Sequence, residues 1–179
     1  SWMLAELSLT LRRQGDTQGA LAVAQQALQE AEHTGSSMAL SRAHAMTSHL
    51  SRLSGNHAKA LTHARSALVL AEQLDDLGLH VAALNALALA CVSGEQPAAD
   101  HADGVRAAIP LLERALELCR QQGDRHREAA LHNNLADVYH LLGDQANAMQ
   151  HLTAAVTIFA EIGSGLGVEN PEIWKLTEW

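Results

Sequence analysis

The sequence predicts an all-α fold, four stacked helix pairs followed by one short closing helix, and three observations predict it. An alanine recurs two helical turns before another at four places: Ala20 with Ala27, Ala60 with Ala67, Ala108 with Ala115, and Ala148 with Ala155. Set on those pairs, Gly15-Asp16, Gly55-Asn56 and Gly143-Asp144 align at one turn, and Gly35, Gly123 and Gly163 align at the next. Ala and Leu dominate the 47% of the chain that is apolar, beside few aromatic residues and three prolines, which favours helix over strand. Self-similarity at this spacing is the mark of a repeat array, in which each unit is two helices joined by a tight turn.

The first pair is expected from Trp2 to Gln14 and from Thr17 to Glu32, with Gly15 supplying the left-handed stop and Asp16 the next cap. The second, Ser36 to Ser54 and His57 to Leu74, repeats it forty residues on with Gly55-Asn56. In the third unit the first helix runs from Asp76 to Val92, but the alanine pair arrives eight residues late, so an insertion over Ser93 to His101 is expected in the turn. The second helix of that unit should begin near Gly104, and Pro110 should either kink it or mark a later start. The fourth pair, Arg125 to Leu142 and Gln145 to Ile162, returns to the parent spacing. The array then covers 1–163, in units of about 1–35, 36–75, 76–123 and 124–163, with a linker at 164–170 and a capping helix at 171–179 that opens on Asn170-Pro171. Ile173, Trp174, Leu176 and Trp179 are spaced to cover the last unit.

Packing explains the pattern. Alanine at both points of a second helix lets its backbone approach the first helix of its own unit and that of the next. Larger residues fill the space around these points: Leu7, Leu11, Leu87, Leu135 and Tyr139 on the first helices, and Leu28, Leu68, Leu116 and Val156 after the second alanine.

Charge and composition narrow the function. A formal charge of −8 argues against a phosphate-binding surface, and lysine occurs only at Lys59 and Lys175, so no direct nucleic-acid binding is expected. The longest apolar run, Val81 to Val92, is broken by Asn85 and is too short for a membrane span. Cys91 and Cys119 should fall at opposite ends of an antiparallel pair, which disfavours a disulfide and fits a reducing cytoplasm. The chain starts at Ser1 with neither an initiator Met nor a signal-like apolar core, and is expected to be a piece of something larger.

Eleven histidines raise the question of metal. None lies three or four residues from another, the spacing that places two imidazoles on one helix face, so no structural metal and no cofactor is expected. His44 and His132 occupy the early first-helix position that holds Leu4 and Leu84 in the other units, which makes them packing residues. Glu128 with His132, and His140 with Asp137 or Asp144, lack a neighbouring nucleophile or phosphate loop, and no catalytic site is expected.

The order of residues in each unit resembles a tetratricopeptide repeat: Leu then a small residue, an aromatic or apolar group, Gly-Asp, Ala, then Ala. The fourth unit matches best, with Leu135-Ala136, Tyr139, Gly143-Asp144, Ala148 and Ala155. The chain departs from that pattern in its longer period, in Thr47, Ser48 and Ser51 where apolar residues are usual, and in the third unit's insertion. The longer period and the closing Pro171 to Trp179 segment are similar to the ends of large multidomain regulators of actinobacterial type. The resemblance implies an α-α superhelix whose inner wall, made by the first helices, holds a peptide or helix. Carried over unit by unit, its inner-wall positions are Glu6, Leu9 and Arg13; Arg42, Met46, His49 and Leu53; Asn85, Ala86 and Leu89; and Asn133, Asn134, Asp137 and His140. Asparagine amides there can satisfy a peptide group as an edge strand would. The wall has no lysine, so the carboxylate clamp of chaperone-binding arrays is not expected. The implied partner is a protein or peptide, and the chain is expected to be a monomer or weak homodimer.

Replacing Ala67 or Ala115 by Leu should overpack the helix contacts and lower stability by roughly 1–3 kcal/mol, read from urea denaturation midpoints.

Overall fold

In a computed structural model, residues 2–93 and 98–165 are described, and they form eight helices in antiparallel pairs. The order is α1 (Trp2–Arg13), α2 (Thr17–Thr34), α3 (Ser37–Leu53), α4 (His57–Ala71), α5 (Leu77–Val92), α6 (Ala98–Gln122), α7 (Arg125–Leu141) and α8 (Gln145–Gly165). No strand occurs among the described residues. Each helix packs on the next along the chain, and α3 also packs directly on α5, so the first helices of the second and third units lie against one another. The expected linker at 164–170 begins inside α8, and the rest of it, with the expected capping helix and its Ile173, Trp174, Leu176 and Trp179, lies outside the described residues.

The turns show why Gly-Asp recurs. At Gly15 the backbone turns left-handed (φ 84°), its N–H bonds the Arg12 carbonyl, and the Asp16 N–H reaches back to the Leu11 carbonyl at 3.0 Å. This pair of bonds closes the outgoing helix. Asp16 then accepts from the Gly19 N–H with its own carboxylate and so caps the incoming helix. Two residues end one helix and start another. Gly55-Asn56, Gly123-Asp124 and Gly143-Asp144 repeat both halves of the arrangement. Gly163, which the repeat aligns with Gly35 and Gly123, does not act as a stop: it is buried inside α8, which continues to Gly165.

The insertion is absorbed differently from expectation. Residues 98–103 are helical, so the extra sequence lengthens α6 toward its N-terminus by about a turn and a half instead of forming a turn alone. Gly104, at the level where other units have their capping residue, permits this: a Cβ there would lie 2.8 Å from the Cys91 carbonyl oxygen. Pro110 neither starts nor ends α6. It sits exposed in mid-helix, where the Arg106 carbonyl that loses its partner faces solvent.

Alanine forms the seams as expected, with Ala20, Ala60, Ala67, Ala108 and Ala115 wholly buried. Side chains larger than alanine concentrate in the third and fourth units, where Val81, Leu112, Leu116, Leu131, Leu135 and Val138 join one continuous cluster. The first two units hold smaller clusters made largely of alanine, such as Ala20 and Ala24 with Leu50, and Ala60 and Ala64, which meet Ala90 of α5. Serine hydroxyls enter those seams without being orphaned. Ser8 donates to the Ala20 carbonyl at 2.9 Å, Ser48 to Ala60 at 2.8 Å, and Ser41 to Ala67 at 3.0 Å. Thr47, buried where an apolar residue is usual, bonds the carbonyl one turn back, Ala43. Leu7 and Val156, expected as packing residues, are exposed because the outer faces of α1 and α8 carry no described neighbour.

Gly104→Ala should be net destabilising by about 1–2 kcal/mol despite alanine's better helix propensity, because its Cβ would meet a backbone carbonyl that cannot yield. Denaturant melts of the two proteins give the comparison.

Candidate functional site

The candidate wall is built from first helices, so its chemistry depends on which side chains that packing leaves half-open. Arg13, Arg42 and Asp137 are exposed, whereas Met46, His49, Leu89, Asn133 and Asn134 are half-buried. The side chains of Glu6 and Leu9 lie outside the described residues. Met46 turns partly into the seam and packs with Ala20, Ala24 and Leu50. His49 lies near Arg52 and Arg12, and burial, then those two charges, lowers its pKa to about 4. It therefore stands in the wall as a neutral imidazole. Across the later units, Asn134 on α7 donates its amide N–H to Oδ1 of Asn85 on α5 at 2.7 Å. Asn85 is buried, so this bond satisfies its Oδ1 and ties two first helices together. Asn85 and Asn133 occupy matching repeat positions, yet the structure joins Asn85 to Asn134. Neighbouring helices meet one residue along, and the diagonal pair is the one in reach. Asn133, the Asn134 carbonyl oxygen and the Asn85 amide group keep hydrogen-bonding capacity beyond that bond.

A second set of polar groups lies between the first and second helices of two units. The Nδ1 atoms of His44 (α3) and His63 (α4) are 2.9 Å apart, and those of His132 (α7) and His151 (α8) are 2.8 Å apart. Ring tilts of 35° and 37° and centroid distances of 5.2 and 5.1 Å make the pairs near copies. Both partners are nineteen residues apart in the chain, at the same places in units two and four. Unit three has Leu84 and Leu111 there, and both join the apolar core. His44 and His132 are thus packing residues, as expected, but each has a polar partner. A search for two histidines on one helix misses them because the partners are on different helices; the equal spacing in two units was the available signal.

Around His132 the polar groups form a fixed chain. Arg120 Nη2 is 3.3 Å from His132 Nε2. A guanidinium only donates, so Nε2 accepts, the His132 proton sits on Nδ1, and Nδ1–H donates to His151. Tyr139 stacks on the His151 ring at 5.4 Å with 9° between planes. Arg120 Nε also donates to the buried Glu128 carboxylate at 2.9 Å, and Arg125 donates to its other oxygen at 2.6 Å. Burial alone would raise the Glu128 pKa, but the two arginines outweigh it and hold the carboxyl below its ordinary range. Arg120, Glu128, His132, His151 and Ile158 line an open cleft of about 470 Å³ between α6, α7 and α8. His140, considered beside Asp137 or Asp144, accepts at Nδ1 from Gln145 at 3.2 Å. Among the described residues no three or more His, Cys, Asp or Glu side chains converge as a metal cage, and no helix is long and apolar enough to cross a membrane. Cys91 and Cys119 are both free thiols, and burial pushes the Cys119 pKa up to about 11.

Burial, then His151, then Arg120, lowers the His132 pKa to about 4. A folded pKa below the unfolded value of about 6.5 means the unfolded chain binds more protons between those two values, so stability falls as pH drops through that window. Acidifying from pH 7 to pH 5 should remove up to about 2 kcal/mol through this group. His132→Leu with His151→Leu, copying the Leu84 and Leu111 pair, should flatten the pH dependence of the urea midpoint.

Residues 104–161 match the tetratricopeptide repeat family. Among solved structures, the chain is similar to a signal transduction ATPase with numerous domains from Pyrococcus horikoshii, a protein that carries a tetratricopeptide repeat sensor. The two share 15% identity with a TM-score of 0.73, over 97% of this chain. The chain spans 25% of the length of that ATPase. No curated protein matches it. Residues 104–161 carry the tetratricopeptide repeat signature, and the described array as a whole has the helix-pair fold of a tetratricopeptide superhelix.

Proposed function

We propose that the chain is a protein-interaction module that takes a peptide or a helix along the wall of its first helices. Repeats of this family are typically interaction modules and generally non-catalytic, which supports the broad reading; fold alone does not choose the ligand. The observation that carries the site is the continuity of the wall: α3 lies on α5, and Asn134 bonds Asn85 across α7 and α5. A ligand strand laid across those helices would meet half-open amides and the neutral His49 in succession. Arg13 and Arg42 add exposed positive charge at one end of the wall, and Asp137 adds negative charge at the other. Glu6, Met46, Leu89 and Asn133 complete the candidate set. The likeness to an ATPase with a tetratricopeptide repeat sensor supports a sensor or scaffold role within a larger cytoplasmic regulator, of the transcriptional kind the closing sequence suggests. Binding there would act by favouring one curvature of the array over another, to the extent of its differential affinity.

One observation favours a second, structural reading. Met149, Leu152 and Val156 form an exposed apolar stripe along α8, a face that another part of the same protein or a second copy would cover. In that case the array serves packing or self-association through its ends.

Peptides selected against the immobilised protein from a random display library, then measured by fluorescence anisotropy, should bind the Asn133→Ala, Asn134→Ala variant at least fivefold more weakly than wild type. Losing the Asn85 bond should lower stability by only about 1 kcal/mol, which a thermal melt checks. Unchanged affinity in a folded variant would remove the wall as the site. A concentration-dependent dimer by light scattering, lost in Met149→Asp, would move weight to the end-packing reading.

A further inference from the structure

We propose that the edge of the array where α1 and α3 end is a site for a carboxylate of the bound peptide, an aspartate or glutamate side chain, held by Arg52 with Arg12 and His49 beside it. It rests on the reading of the wall as a peptide seat and names the chemistry that seat takes at this edge.

Two stranded polar atoms carry the inference. Arg52 Nε and His57 Nδ1 are both buried, and neither has a hydrogen-bond partner. Native structures leave few buried polar atoms in that condition, because the lost hydration is not replaced. The two residues flank one tight turn, in which the Gly55 N–H bonds the Arg52 carbonyl at 3.0 Å and the Asn56 N–H bonds the Ser51 carbonyl at 2.8 Å. At the same places in unit four stand His140 and Gln145, which bond each other at 3.2 Å. Unit two has Arg52 and His57 there instead, and the bond is not made. Arg52 also differs from the arginines of the later units. Arg106 pairs with Asp103, and Arg120 and Arg125 both pair with Glu128. Among the described residues no carboxylate offsets the burial of Arg52, which lowers its pKa, and the guanidinium still carries its charge at neutral pH.

The charge around it has the same sign. Arg12 holds the position in α1 that Arg52 holds in α3, forty residues on, and Arg13 follows it in the same last turn. Both Arg12 and Arg52 act on His49 and help to keep its ring neutral. This edge also joins the ends of α1 and α3 to the starts of α2 and α4, so the helix dipoles oppose one another and the side chains set the sign. A chain of net charge −8 thus holds a local positive spot with an unsatisfied donor at its centre. One carboxylate oxygen can accept from Arg52 Nε–H and the other from a terminal guanidinium N–H, the paired geometry that arginine offers.

The test is fluorescence anisotropy of the whole chain with two labelled probes, a six-glutamate peptide and a six-glutamine peptide. The six-glutamate peptide should bind wild type at least tenfold more tightly, against the repulsion of the net charge. Arg52→Met should weaken that binding at least fivefold and raise the urea midpoint of the ligand-free chain, because it removes a donor that has no acceptor until the peptide arrives. Arg106→Gln, the same loss of charge on α6, should leave the affinity within twofold of wild type. No preference for the six-glutamate peptide, unchanged affinity in Arg52→Met, or equal loss in Arg106→Gln overturns the proposal. An Arg52→Met chain that fails to fold makes the arginine a structural residue and overturns it too. An Asn133→Ala, Asn134→Ala variant that still binds the six-glutamate peptide through Arg52 supports the carboxylate site and counts only against the extended wall. Library peptides that depend on Asn134 but bind Arg52→Met as they bind wild type keep the wall and overturn the site.

Discussion

Two helices can approach only as closely as the side chains between them allow, and in this chain that limit is set by a methyl group. Ala20, Ala60 and Ala108 are wholly buried, and Ala148 nearly so, at the point where each second helix meets the first helix of its unit. Ala27, Ala67, Ala115 and Ala155 do the same one face further on. The spacing of every other contact follows from these. It brings Ser8 and Ser48 within hydrogen-bond reach of Ala20 and Ala60 carbonyls, and it leaves room for two imidazoles to meet edge to edge between α3 and α4 and again between α7 and α8. A wider seam would strand those polar groups in an apolar setting, where an unpaired donor costs on the order of 1–3 kcal/mol.

Close packing also explains how the chain tolerates polar residues where the repeat pattern usually has apolar ones. A carbonyl already serving its own helix has a second lone pair, and a serine on the facing helix can use it without breaking the ladder. Ser41 and Ser48 are satisfied in this way, and Thr47 uses the Ala43 carbonyl of its own helix. The same logic governs the ion pairs at the far end of the array. Glu128 is buried, but two arginines meet its two oxygens, and one of them passes the arrangement on to His132.

Much of the fold was legible because it is written in short-range chemistry. Alanine pairs at two-turn spacing, and glycine followed by a capping residue, fix where helices meet and where they end, and both are visible without any long-range contact. The exceptions have physical causes. Gly163 resembles a stop only by alignment; the helix runs through it because a glycine permits a left-handed turn but does not impose one. Pro110 resembles a break, yet an exposed proline leaves its orphaned carbonyl to water. The insertion resembles a loop, but its residues from Ala98 on are helix, and Gly104 lets α6 pass over Cys91 without a clash. Contacts between first helices were not readable from repeat positions. Which asparagine reaches Asn85 depends on the offset between neighbouring helices, and His44 finds His63 only when two helices are antiparallel.

The uneven core gives the array a direction. Large side chains interlock through α5, α6 and α7, while the first two units meet through alanine and serine. In a molecule whose units touch only their neighbours, cohesion is local, so one half is stiff and the other compliant. A ligand lying along the whole wall would find half of its seat already set and would have to order the remainder. Affinity is then divided between contact and ordering, and a change in the compliant half can retune binding strength while leaving the contact residues in place.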